Sequence, residues 1–167
     1  MNVYLLRHGT SEEKNPRKYP ADADRPLSPE GEREIESAVR FMKALGLEFG
    51  AVFSSPYIRA RKTAETVVRS FRIENRLLFS ENLLPTSSCE ELCHEINPRC
   101  SSHPSVLLVG HEPFLGRFAS YLMTGRTRSC LELKKGGLCL LSAEPPLKEA
   151  CATLKWLIGP PQTALFA

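Results

Sequence analysis

The sequence predicts an α/β three-layer sandwich, with a mostly parallel central sheet and helices on both faces. Three observations carry this. Short apolar runs alternate with longer stretches of helical periodicity. The runs "NVYLL" (residues 2–6), "AVFSS" (51–55) and "SVLLVG" (105–110) read as strands buried on both faces, as in sheets covered by helices on either side. With 167 residues, 42% of them apolar, the chain is long enough to build a full-sized core. No repeat, low-complexity tract or linker divides it, so residues 1–167 are expected to form one domain.

The elements follow in order. The first strand delivers the chain to Arg7, His8 and Gly9. A helix is predicted next over "SPEGEREIESAVRFMKALG": Ser28 caps it, Pro29 suits its first turn, Glu30 and Glu32 complement the dipole, and Gly46 ends it. Ile35, Ala38, Val39, Met42 and Leu45 then share one face. After the second strand and Pro56, residues Ala60, Ala64, Val67, Val68 and Phe71 trace a second amphipathic helix. A shorter helix is expected from Ser88, where Glu91 completes a capping box, to a stop before Pro98. Beyond the third strand and Pro113, Leu115, Phe118, Ala119 and Leu122 mark a helix ending near Gly125. Residues 138–142 and 152–158, joined by a proline-containing turn, read as an antiparallel pair, and 159–167 as a loosely held tail.

Composition narrows the function. A net charge of +3 with 25% charged residues calls for no polyanionic partner such as nucleic acid. No apolar run approaches the roughly 20 residues that span a bilayer, and no signal-peptide pattern opens the chain, so a cytoplasmic protein away from membranes is expected. Of the 6 cysteines, Cys89, Cys93 and Cys100 cluster near His94 and His103. Zinc is one reading of that cluster, but its spacing matches no usual C-x2-C pairing, and reduced thiols are the expectation. Cys130, Cys139 and Cys151 lie in apolar contexts and read as small core residues, and disulfides are not expected in that compartment.

Ligands of such sheets bind beyond the carboxyl ends of the strands. Arg7 and His8 follow the first strand, Arg59 opens the helix after the second, and His111 follows the "SVLLVG" strand just before Glu112-Pro113. A neutral imidazole is nucleophilic at pH 7, because its pKa of about 6.5 spares it a separate base. Two guanidiniums hold a phosphoryl group by paired hydrogen bonds, a second histidine donates to another oxygen, and amides at the helix start after His111 suit an anion. Gly9 allows close approach of the chain. Singly, each residue also reads as a solvated loop or helix-face group; together they read as a phosphate site.

"LLRHGTSE", "SSPYIRARKTAE" and "VGHEP", in this order and spacing, resemble the histidine phosphatase superfamily across nearly the whole chain, which implies a phosphoglycerate mutase-like fold. The resemblance implies that His8 becomes phosphorylated and that Arg7, Arg59 and His111 complete the catalytic pocket, with Gly9 and Glu112 joining Arg7, Arg59 and His111 in binding substrate. Within the superfamily, Asp24-Arg25-Pro26-Leu27-Ser28 with Gly31, the closing "ATLKWLIGP" and the short length are similar to the SixA-type phosphohistidine phosphatases. That implies hydrolysis of phosphohistidine on a signalling protein, such as a histidine-containing phosphotransfer domain, with no metal and no cofactor. The alternatives are a phosphatase of a small sugar or nucleotide phosphate and, in another class, a phosphate-binding module without catalysis; the intact nucleophile argues against the latter. Larger relatives carry insertions and a glutamate acid between the second helix and the "GH" strand. Here residues 71–103 are expected to hold one short helix, and Glu81, Glu90 and Glu91 match no acid pattern. An easily departing imidazole suits such a site. In the loop 15–25, substrate contact and plain solvation of Lys14, Arg17 and Lys18 remain equal readings.

Overall fold

Alternation along the buried strands divides the core into two layers. In the computed structural model, which describes residues 1–100 and 104–166, strands β1 (Asn2–Arg7), β2 (Ala51–Ser54), β3 (Leu77–Phe79), β4 (Ser105–Gly110), β5 (Leu138–Ala143) and β6 (Ala152–Ile158) form one sheet. Val3, Leu5, Phe53, Val106 and Leu108 face one side and pack with α3 (Cys89–Cys100) and α4 (Phe114–Thr124). Tyr4, Leu6, Val52, Leu107 and Val109 face the other and pack with α1 (Pro29–Ala44) and α2 (Ile58–Phe71). The period-two pattern thus feeds two apolar faces, each covered by helices, and produces the expected three layers.

Strand order is β3-β2-β4-β1-β5-β6. β3, β2, β4 and β1 run parallel, and β5 and β6 complete the sheet in antiparallel fashion. β4 is buried along its whole length, as befits a central strand. α1 starts where its sequence signals place it: the Ser28 hydroxyl accepts from the Gly31 N–H at 3.1 Å. Gly46 follows it with φ 63°, a left-handed position that glycine adopts without strain.

Four expectations are corrected. α3 runs through Pro98 to Cys100, because the proline falls in the last turn, where one lost backbone bond precedes the end of the helix by only a residue or two. The interval after α2 also holds β3, a three-residue edge strand too short to leave a periodic signature. The tail is not loose: α5 (Pro160–Thr163) packs against α1 and buries Thr163. Cys130 is exposed, because it sits on a loop and its sulfur accepts from the Ser120 hydroxyl instead of packing; Cys139 is buried and Cys151 half-buried. Cys89 and Cys93 lie one turn apart on α3 and face the core beside Leu92 and Ile96. His94 is exposed on the same helix; the Cys100 side chain and His103, the rest of the cluster for which zinc was one reading, lie outside the described residues, as does Ala167. Among the described residues no helix is long and apolar enough to cross a membrane.

The turn after β1 is fastened to the start of α1. Thr10 gives its N–H and hydroxyl to the Glu34 carboxylate at 2.7 and 3.0 Å, and its carbonyl accepts from the Ser28 N–H at 2.9 Å. A Cβ on Gly9 would stand 2.5 Å from the Gly31 carbonyl oxygen, and one on Gly31 would collide with the Thr10 backbone. Two glycines therefore meet because two backbones touch. Gly31→Ala is expected to cost about 1–3 kcal/mol, as overpacking does, and to lower turnover by shifting residues 8–10. Chemical denaturation and an aryl phosphate assay on the same preparation check both.

Candidate active site

Parallel pairing of β1 with β4 sets Arg7 opposite Gly110, so the next residue of each strand, His8 and His111, emerges beside the other. Their ring centroids are 4.9 Å apart. Pairing of β2 with β4 brings Ser55 to the same edge, where its hydroxyl lies 2.8 Å from His111 Nε2. α2 begins just beyond, and Arg59, in its first turn, donates from Nε to His8 Nε2 at 3.2 Å. Arg7, His8, Arg59, His111 and Glu112 line one cleft of about 480 Å3.

A backbone carbonyl fixes the tautomer of His8. His8 Nδ1 is 2.7 Å from the Gly9 carbonyl, an acceptor only, so Nδ1 carries the proton and Nε2 carries the lone pair. Burial pushes the His8 pKa down to about 3; the Gly9 carbonyl opposes this, and the charges of Arg59, Arg7 and Lys135 add to it. His8 is therefore a neutral imidazole with its nucleophilic nitrogen facing a guanidinium. The Ser55 oxygen accepts the Tyr57 N–H at 3.3 Å and keeps both a proton and a second lone pair for His111 Nε2. Where Ser55 donates, His111 carries its own proton on Nδ1. Its pKa falls to about 2, first through burial and then through His8 and Arg59. Among the described residues His111 Nδ1 and Arg7 Nε are buried without a hydrogen-bond partner, a ring nitrogen and a guanidinium nitrogen beside His8 suited to the oxygens of an anion.

The arginines are held from behind. Arg59 donates to the Asp22 carbonyl at 2.6 Å and to the Asp22 carboxylate at 2.8 Å. Arg25 donates to the other Asp22 oxygen at 2.9 Å. Partial burial raises the Asp22 pKa, but the hydrogen bond and charge of Arg59, with Arg25, bring it below the usual carboxylate range. Arg7 donates to the Leu133 carbonyl at 2.7 Å. The Leu133 N–H is given to Glu112 at 2.8 Å, and the other Glu112 oxygen accepts from Gly116 at 3.3 Å. Glu112 thus stands at the cleft with both oxygens engaged by amides, and it orients Arg7 through Leu133. Gly9 is not on the cleft wall; it orients His8 through its carbonyl.

Glu81, Glu90 and Glu91 do not line the cleft, and between α2 and β4 only Pro85 of the described residues reaches it. Asp22, Ser55 and Lys135 were not singled out from the sequence. Ser55 had a signal, its position directly after a strand that ends at the ligand edge. Among the described residues no group of three or more His, Cys, Asp or Glu side chains is placed to hold a metal ion.

The sequence model of the histidine phosphatase superfamily (branch 1) matches residues 3–79, the stretch that carries Arg7, His8, Asp22 and Arg59. The chain belongs to the histidine phosphatase superfamily. As a member of that superfamily it is a phosphatase-class hydrolase. An uncharacterized protein of Picosynechococcus sp. (strain PCC 7002) is 33% identical over 140 residues, covering 83% of this chain and 82% of that protein. The protein histidine phosphatase SixA, in complex with tungstate, has the same fold with a TM-score of 0.85 at 21% identity, covering 97% of this chain and 99% of that one. A mycobacterial glucosyl-3-phosphoglycerate phosphatase shares it with a TM-score of 0.71 at 14% identity, covering 95% and 99%.

Both site histidines are neutral when folded and take a proton near pH 6.5 once unfolded. Below pH 6.5 the unfolded chain binds more protons, so stability falls as the pH drops toward 3. Between pH 6.5 and 5 the loss is expected to be about 2 kcal/mol per histidine. Urea unfolding across this range should show the slope, and it should flatten in His8→Asn and His111→Asn.

Proposed function

We propose that this phosphatase removes the phosphoryl group from phosphohistidine on a protein, by two displacements through Nε2 of His8. In the first, the Nε2 lone pair attacks phosphorus and the substrate P–N bond breaks. The substrate imidazole leaves neutral from the form whose far ring nitrogen has taken a proton from solvent, so that proton stays on the ring as the P–N bond breaks. In the second, water attacks the phosphorus on His8, the new P–N bond breaks, and inorganic phosphate departs. Arg7, Arg59 and His111 Nδ1–H stabilise the oxygens in both steps, and the two arginines supply the charge for which a metal is otherwise used.

The observation that carries the substrate class is the bareness of one wall: the whole segment between α2 and β4 gives the cleft only Pro85 among its described residues. A folded protein can approach such a cleft, and no carboxylic acid from that segment is placed to protonate an alkoxide. Of the other carboxyls at the cleft, Asp22 is held ionised by two arginines, Glu12 pairs with Lys18 at 3.8 Å, and Glu13 lies on the exposed rim. The SixA likeness in fold points the same way, toward a cytoplasmic signalling relay with a histidine-containing phosphotransfer domain as partner. Hydrolysis of a small phosphate ester is the second reading. It is favoured by Glu112, whose pKa burial raises despite the amide bonds it accepts. In that case Glu112→Gln would lower sugar phosphate turnover far more than that of an aryl phosphate, whose phenolate leaves unaided.

With a labelled phosphohistidine protein, an alkaline quench is expected to trap label on His8, and His8→Ala to lose both label and turnover. Near-normal turnover by His8→Ala would sink the mechanism. Arg59→Ala is expected to lower turnover by about a hundredfold or more, and dialysis against a chelator to leave it intact. Efficient hydrolysis of a sugar phosphate, relative to the phosphohistidine protein, would overturn the substrate assignment.

A further inference from the structure

Beside the phosphoryl cleft, the loop between β1 and α1 encloses a smaller cavity of about 180 Å3. Pro16, Tyr19 and Pro20 form its outer walls, with Asn15, while Lys14, Asp22 and Arg25 line both the cavity and the cleft. The two spaces therefore adjoin across these three residues, and a ligand with its phosphoryl group at His8 has only Asp22 and Arg25 to cross to reach the cavity.

Hydrogen bonds within the loop preform this cavity. The Asn15 side-chain oxygen accepts the N–H groups of Arg17 and Lys18 at 3.1 and 3.2 Å, and its backbone carbonyl accepts from Tyr19 at 2.7 Å. Arg25 reaches back to the Glu12 carbonyl at 2.9 Å, and the Glu12 N–H donates to the Pro26 carbonyl at 3.0 Å. Two prolines stiffen what remains. Little ordering entropy is left to lose on binding.

The same bonds determine the ligand. Asn15 spends its oxygen on the loop, Asp22 divides its carboxylate between Arg25 and Arg59, and Arg25 is engaged by Asp22 and Glu12. Apart from the Lys14 ammonium, which also lines the cleft, and the Asn15 amide nitrogen, the remaining surface is apolar: two pyrrolidine rings and the Tyr19 ring, one face of which Lys18 covers at 5.0 Å from its centroid. Size sets the rest. Sites that hold a whole small molecule measure about 300–1,000 Å3, whereas this cavity has room for one side chain of something larger.

We propose that this cavity is a subsite that receives one apolar side chain of the polypeptide whose phosphorylated residue lies in the cleft. The inference rests on the phosphohistidine-protein reading and adds a sequence preference to it. An occupied subsite also packs against Asp22, the residue that orients Arg59, so a filled cavity steadies the group that stabilises the transferring phosphoryl oxygens.

The test uses two synthetic histidine peptides, phosphorylated with phosphoramidate and identical except for Leu or Gly at the positions flanking the phosphohistidine. An aryl phosphate serves as the small-substrate control. The wild type is expected to favour the Leu peptide by about tenfold or more in kcat/KM, mainly through KM. Tyr19→Ala should erase that preference while leaving kcat/KM for the aryl phosphate unchanged, and Tyr19→Phe should retain the preference. Equal hydrolysis of both peptides by the wild type would overturn the subsite and leave the phosphohistidine reading standing. So would a preference that survives in Tyr19→Ala, or an equal loss on peptides and aryl phosphate. Failure to cleave either peptide, with the aryl phosphate still turned over, would overturn the phosphohistidine reading and the subsite with it.

Discussion

The parallel register between β1 and β4 is the constraint on which the site depends. Because Arg7 pairs with Gly110, His8 and His111 leave their strands at one level and on adjacent tracks. A slip by one residue would turn every side chain of β1 to the opposite face and would exchange the Val3 and Leu5 layer with that of Tyr4 and Leu6. Both layers are dry and packed, so that slip is costly. The core therefore fixes catalytic geometry through the same pairs that fix the fold.

Given that register, the chemistry follows from burial. Two imidazoles deep among arginines stay uncharged, which is what the proposed nucleophile and neutral donor would require. Cations brought there need compensation, and the molecule supplies it unevenly. Arg59 has a carboxylate partner in Asp22, while Arg7 has the Leu133 carbonyl, held in turn by Glu112. Arg7 retains an unmatched donor, Nε, beside the place of reaction. Its remaining hydrogen-bonding demand suits an arriving anion.

Much of this was legible in the sequence where a local rule and a global one agreed. The strands 2–7, 51–54 and 105–110 announced themselves as apolar runs, and α1 by its cap, proline and glycine. His8, Arg59 and His111 were legible because parallel strands send their carboxyl ends to one edge. Asp22 was not, since it meets Arg59 across 37 residues through a loop with no periodicity. β3 was too short to carry a pattern, and the tail gave no sign of α1 as its partner. Cysteine was legible in part. Cys89 and Cys93, expected to be reduced thiols, are free and occupy the core face of α3, while Cys130 had apolar neighbours in sequence and none that bury it in space.

The site joins a rigid half to a half that meets solvent. Sheet edge and helix start hold His8, His111 and Arg59, whereas the β1–α1 loop contributes Asp22, whose side chain is 44% exposed against 5% for Arg59. An ion pair with one member in water is weakened by screening, and it strengthens when something displaces that water. A small ester seated at His8 leaves the outer side of Asp22 wet. A protein surface lying across the loop covers it, lowers the local dielectric, and tightens the hold of Asp22 on Arg59 as charge moves onto the phosphoryl oxygens. Arg25 divides Asp22 with Arg59 and ties the loop to Glu12, so covering the loop cannot drag the carboxylate away from its partner. On the proposed reading, a broad substrate covering the exposed half of the site would improve the buried half, and that is the physical sense in which an open cleft would favour a protein over a small ester.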